Sequence, residues 1–156
     1  RVLKLLQNIN IVGNTLAFIR NFLSSRTMKV RINDYMSDPV PIENGLPQGS
    51  VLSVILFLVA INDVLNNIEK PVKGFLFADD LTIICSGGTL CPTLKLIQNT
   101  LNNLQEWSER VGFKFSKTKT EFMIFTNKRK VFRNTQLILN NHSIKEVSNL
   151  KILGLI

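Results

Sequence analysis

Histidine occurs once in this 156-residue chain, cysteine twice, and tryptophan and tyrosine once each. A single histidine argues against a catalytic dyad built on that residue, and His142 sits in the turn-like "NNHS", where a surface role is expected. Cys85 and Cys91 are too far apart for a C-x-x-C pair, and no third cysteine or suitably placed histidine completes a zinc site, so both are expected to be reduced thiols. Long apolar runs are missing too. The longest, "VILFLVAI" from Val54 to Ile61, falls far short of the roughly 20 residues that span a bilayer, so a buried helix and no membrane association are expected. No leader or lipidation motif is legible, and the chain is expected to be a piece of a longer protein.

Acidic residues are scarce, 11 against 19 Lys and Arg, which gives a net charge of +8. The excess is uneven. Residues 1–90 hold 8 basic against 7 acidic residues, and residues 91–156 hold 11 against 4. Lys114, Lys117, Lys119, the "KRK" at 128–130 and Arg133 are either a solvated face or a surface for a phosphate-rich partner such as nucleic acid. With 45% hydrophobic and 19% charged residues, the chain reads as one folded segment rather than a disordered one.

Leu16, Ile19, Phe22 and Leu23 in "NTLAFIRNFLSSR" fall on one helical stripe, with Asn14 available as N-cap. The alternating "MKVRIN" and the extended "VPIENG" predict a hairpin leading into "GLPQGSV". From Ser50 the sequence is apolar on nearly all sides through Leu65, which predicts a helix buried in the core, with Ser50 or Ser53 capping it. Residues 72–78 and 81–85 are expected to be two strands joined through Asp79 and Asp80. Leu94, Ile97, Leu101, Leu104, Trp107 and Val111 recur at spacings of three and four, with Pro92 near the start and Gly112 at the end, so residues 92–111 are expected to be helical. "FKFS" and "TEFMIF" read as strands, and residues 136–139, 143–147 and 150–156 as a small terminal hairpin or sheet. The fold class is therefore α+β: an antiparallel sheet covered by helices.

Asp79 and Asp80 at a strand-turn-strand junction have a plain explanation, since aspartate is favoured in turns. The flanking runs are apolar enough to be buried on both faces, however, and two adjacent anions there call for a positive charge between or beside them. Mg²⁺, which takes carboxylates, water and phosphate oxygens, would supply it. A two-metal site needs a further carboxylate, and Asp34, Asp38 and Asp63 are poor candidates by position. "GLPQGS" is a Gly/Pro-punctuated loop opening a helix, either a simple turn or a set of backbone N–H groups aimed at phosphate. Lys119 is likewise either solvated or a point charge for a phosphate.

Taken in order, "NGLPQGSVLSVILFLVAINDV", "GFLFADDLTIICSG", "WSERVGFKFSKTKTEFMIF" and "LKILGLI" resemble the palm of a reverse transcriptase, and are most similar to those of non-long-terminal-repeat (LINE, jockey-like) retrotransposons. The resemblance covers essentially the whole chain, residues 1–156, with 1–125 as palm and 126–156 as its end and the start of the primer-grip region. It implies a palm-like sheet on helices without the fingers or the first palm strand. Asp79 is then the main metal-binding carboxylate and Asp80 its weaker neighbour. Gln48, with Pro47 and Gly49, lines the pocket for nucleotide and template; Phe77 packs under the primer end; Lys119 lies by the triphosphate. The implied cofactor is a pair of Mg²⁺ ions, or Mn²⁺, and the partners are an RNA template, a DNA primer and deoxynucleoside triphosphates, in the nucleus or cytoplasm. Val54 stands where the family has proline, and Leu58 where a polar residue is common. The family's first catalytic aspartate lies upstream of Arg1, so the isolated chain is expected to be inactive in primer extension. A non-catalytic nucleic-acid-binding remnant is the alternative; a Mg²⁺-dependent hydrolase explains neither "PQGS" nor the blocks after "FADD".

Overall fold

Asn10 and Gly13 both adopt a φ of 63°, and between them the chain reverses from helix α1 (Val2–Asn8) into α2 (Gly13–Leu23). In the computed structural model, which describes residues 2–126 and 136–154, the chain divides into two compact units, Arg1–Asp63 and Val64–Ile156. The stripe expected on α2 is present: Leu16 and Ile19 are buried, and Phe22 and Leu23 are half-buried. With Leu6 of α1 and Leu56 of α3 (Val51–Asn62) they form the core of the first unit, edged by Leu46, Leu52 and Val59. Asn14 does not cap α2; Val12 holds the cap position and makes no side-chain hydrogen bond.

Helix α3 departs from its expected burial. Ser53, Leu56 and Ile61 face inward, whereas Val51, Val54, Ile55 and Leu58 are exposed at spacings of three and four. An all-round apolar sequence carries no periodic signal to separate the two faces. Ser50 holds the N-cap position without a side-chain bond, and the Ser53 hydroxyl is buried with no hydrogen-bond partner among the described residues.

The expected hairpin before "GLPQGS" forms as two nested ladders. β1 (Arg26–Met28) pairs antiparallel with β4 (Val40–Ile42), and β2 (Arg31–Ile32) with β3 (Tyr35–Met36). The registers differ by one residue: Ser37 extends the inner one, its N–H donating to the Val30 carbonyl and its Oγ accepting from the Val30 N–H, and the extra residue falls at Asp38 and Pro39, opposite Lys29.

A 3-10 helix (Asp63–Asn67) opens the second unit from the last residue of the first and leads to strands β5 (Lys73–Phe77) and β6 (Asp80–Ile84), then to α4 (Leu90–Val111). Pro92 falls in the first turn of α4, where its missing N–H has no intrahelical acceptor to lose. Gly112 ends the helix at φ 81°, its N–H on the Ser108 carbonyl. Leu94, Leu101, Leu104 and Trp107 are buried as the spacing predicts. "FKFS" is not a strand. Phe113 stacks on Trp107 at 5.4 Å and Phe115 tilts against it at 6.4 Å, so these aromatics fold back on α4 instead of pairing in a sheet.

Beyond it, β7 (Glu121–Phe122) runs parallel to β10 (Lys145–Glu146), and β8 (Ile138–Leu139) turns through Asn140 and Asn141 into β9 (His142–Ser143). Both asparagines have positive φ, 51° and 60°, the signature of a two-residue type I′ turn. Leu137, Leu139 and Ile144 close the second core against Leu94 and Leu101. Residues 150–154 give only a bridge at Ile152 before a turn, rather than a strand. The fold is mixed helix and sheet as expected, but the single covered sheet is replaced, among the described residues, by five two-stranded ladders. The "KRK" cluster and Arg133 lie outside the described residues.

Candidate active site: the Asp79–Asp80 hairpin

Strands β5 and β6 pair from Lys73↔Ile84 to Phe77↔Asp80, which leaves Ala78 and Asp79 as a two-residue turn. Only the first of the two has positive φ, 51°, the sign pattern of a type II′ turn, whose first position is usually glycine. An alanine held there stores about 1–2 kcal/mol of backbone strain. The site's tightest bend is therefore directly beside its carboxylates.

Residues opposite one another in an antiparallel ladder share a face. Gly74, Leu76, Leu81 and Ile83 make the inner face, and Ile83 packs on the Leu94–Leu101 core. A Cβ at Gly74 would run into Ile68 and approach Leu65, so glycine there lets the strand lie against the 3-10 helix and the residue that follows it. Lys73, Phe75, Phe77, Asp80 and Ile84 make the outer face and are exposed, with Phe77 at 65%. Burial of both flanking strands on two faces, expected from their apolar content, does not occur. β5 simply carries phenylalanine on its open side as well as apolar residues on its closed one.

Asp79 at the turn and Asp80 at the start of β6 are exposed, and neither carboxylate has a hydrogen bond or ion pair among the described residues. Their oxygens are thus free for a hard cation. No third His, Cys, Asp or Glu joins them in a group that could hold a metal among those residues.

Lys119 lies on an exposed turn over 116–120, closed by the Thr120 N–H and Oγ1 on the Ser116 carbonyl at 3.1 and 2.6 Å. It belongs to the same unit as Asp79, and no hydrogen bond or ion pair joins the two among the described residues. Pro47 is half-buried, and Gln48 and Gly49 are exposed in a turn of the first unit. Gly49 has φ 85° and open space around its Cα, so glycine is required there by conformation and not by crowding. Arg26 escaped the sequence reading: Nη2 donates to the Gly45 carbonyl at 2.9 Å and Nε to the Leu23 carbonyl at 3.1 Å, which ties the "GLPQG" loop to the end of α2. Both acceptors are backbone, so no side-chain pattern could have revealed it.

Residues 3–156 match the model of the family described as reverse transcriptase (RNA-dependent DNA polymerase). The chain is 28% identical over 116 residues to the RNA-directed DNA polymerase from mobile element jockey of Drosophila melanogaster, which covers 70% of this chain and 13% of that protein. It is 27% identical over 143 residues to the probable RNA-directed DNA polymerase from transposon BS of the same species, 88% of this chain and 16% of that protein. It is 30% identical over 115 residues to the Pol polyprotein from type-1 retrotransposable element R1 2 of Nasonia vitripennis, 70% of this chain and 28% of that protein. The chain therefore spans well under a third of the length of these relatives. No solved structure matches it. No described helix is long and apolar enough to cross a membrane. With the "PQGS" loop and the "FADD" hairpin inside a match that runs over nearly all its residues, this chain belongs to the reverse transcriptase family.

Proposed function

We propose that this chain is part of a retrotransposon RNA-directed DNA polymerase, and that the β5–β6 hairpin presents two of its catalytic carboxylates. The observation that carries this reading is the placement of Asp79 and Asp80: adjacent, exposed at a hairpin tip, and without a cationic partner among the described residues. Two oxygen donors so placed fit Mg²⁺ or Mn²⁺, which bind one or two carboxylates and complete their shells with water and substrate phosphates. Bound there, a metal pair would supply acidification of the primer 3′-hydroxyl and charge neutralisation on the departing pyrophosphate.

The chain's own residues divide the remaining work. Asp79, on the turn, is the principal ligand and Asp80 the second, so together they form half of a two-metal site that needs a further carboxylate. Phe77, opposite Asp80 on the open face, gives the primer end an apolar surface. Gln48, between Pro47 and Gly49, orients the incoming deoxynucleoside triphosphate and the template base. Lys119 neutralises the triphosphate and protonates pyrophosphate as it leaves. The basic residues of the second half track the phosphates of the RNA template and DNA primer without reading sequence. Residues 1–125 then correspond to palm, and 126–156 to its end and the start of the primer grip.

Primer extension by the polymerase that carries this segment tests the assignment. Asp79→Asn should abolish extension while template–primer binding persists. Extension at the wild-type rate would reject Asp79 as a metal ligand.

A further inference from the structure

Five residues form an unbroken hydrogen-bonding line across the second unit. Gln105 Nε2 donates to Glu109 Oε1 at 3.0 Å, and Gln105 Oε1 accepts the Asn140 N–H at 3.0 Å. The Asn140 carbonyl in turn meets His142 Nδ1 at 3.0 Å, and His142 Nε2 faces Lys117 Nζ at 3.5 Å. A carbonyl only accepts, so Nδ1 carries the hydrogen. In the neutral ring Nε2 is then a lone-pair acceptor, and the Lys117 ammonium donates to it.

The Lys117–His142 contact is long, and neither side chain is paired with a carboxylate among the described residues. The charged groups on the elements around the imidazole are Lys117 and Lys119 on the 116–120 turn, Glu109 and Arg110 at the end of α4, Glu121 on β7, and Lys145 and Glu146 on β10. Of these, Lys145 and Glu121 pair with each other at 3.7 Å. The Lys117 Nζ, and Nε2 once it carries a proton, thus converge at an exposed point with no carboxylate on either among the described residues.

We infer that Lys117 and His142 form a two-point site for one phosphodiester of a bound nucleic-acid strand, completed when His142 takes up a proton at Nε2. This rests on the reading above that the protein binds nucleic acid. With a phosphate between them, each nitrogen donates a charge-assisted hydrogen bond to one non-bridging oxygen. Nδ1 keeps its bond to the Asn140 carbonyl, so the ring need not turn, and Gln105 and Glu109 hold that carbonyl in place. One proton enters from solvent with each phosphate bound, and no covalent bond changes. The site is separate from Lys119, which is reserved above for the triphosphate.

The test is anisotropy of a labelled single-stranded DNA oligonucleotide with the 156-residue chain, at fixed salt, from about pH 5.5 to about pH 8, the range in which a histidine changes charge. His142 is the sole histidine, which isolates its contribution. Wild-type affinity should fall about tenfold as pH rises, as expected for loss of one charge-assisted hydrogen bond. His142→Gln should bind as the wild type does at the high-pH end and show no such fall, and Lys117→Ala should be weaker and equally flat. An unchanged pH dependence in His142→Gln, or an Nε2–H tautomer in the nitrogen spectrum of the free chain's imidazole, overturns the inference alone. Absence of oligonucleotide binding at every pH overturns it together with the nucleic-acid reading.

Discussion

Phe77 and Asp80 stand directly opposite one another at the closing pair of the β5–β6 ladder, on its exposed face. An aromatic ring and a carboxylate are thereby fixed side by side by backbone register alone, with the inner face of the hairpin anchored through Gly74 and Ile83. Phe77→Ala should leave stability nearly unchanged, because the side chain is largely solvated, while weakening primer-dependent nucleotide addition by the polymerase. Thermal melts and single-nucleotide extension read the two effects separately.

The turn beside this pair stores strain at Ala78. Ala78→Gly removes about 1–2 kcal/mol of it and gives back about 0.5–1 kcal/mol in unfolded-chain entropy, so it should stabilise by between zero and about 1.5 kcal/mol. Ala78→Val should destabilise by about 1–2 kcal/mol, since a β-branched residue tolerates positive φ least. Denaturant unfolding of the three proteins gives the comparison.

Ser53 carries a buried hydroxyl without a partner among the described residues. Ser53→Ala should therefore stabilise the first unit by about 1 kcal/mol, and its urea midpoint should rise. Leu56, fully buried in the same helix, sets the opposite expectation: Leu56→Ala should cost about 2–5 kcal/mol.

Helix α4 was legible because its apolar residues recur at spacings of three and four and a glycine ends it. Helix α3 was legible in extent but not in orientation, since every position is apolar and only packing decides that Leu56 is inside and Val54 outside. The "FADD" bend was legible as a junction between two strands, because both runs are short and β-prone, but one residue late: Ala78 and Asp79 make the turn, and Asp80 already pairs with Phe77 in β6. Its solvent exposure was not legible, since Phe75 and Phe77 look the same in sequence whether covered or open. The "FKFS" segment alternates like a strand, yet its phenylalanines meet Trp107 on α4, a contact that local periodicity cannot encode. The links made to backbone, from Arg26 to the "GLPQG" loop and from Gln98 to β8, had no sequence signal at all.

Gln98 docks β8 as a strand would: its Nε2 donates to the Ile138 carbonyl at 2.9 Å, and its Oε1 accepts the Ile138 N–H at 2.8 Å. Gln98→Ala should remove both bonds, at about 0.5–1.5 kcal/mol each. Amide exchange at Ile138 should accelerate by about tenfold or more, with exchange in α4 little changed.

The central claim is that Asp79 and Asp80 together hold a divalent cation, and paramagnetic broadening by Mn²⁺ in the amide spectrum of the 156-residue chain tests it most directly. Broadening centred on residues 78–81, displaced by excess Mg²⁺ and lost in the Asp79→Asn, Asp80→Asn double variant, is the result expected. Broadening that is centred elsewhere, or that persists unchanged in the double variant, would contradict the account.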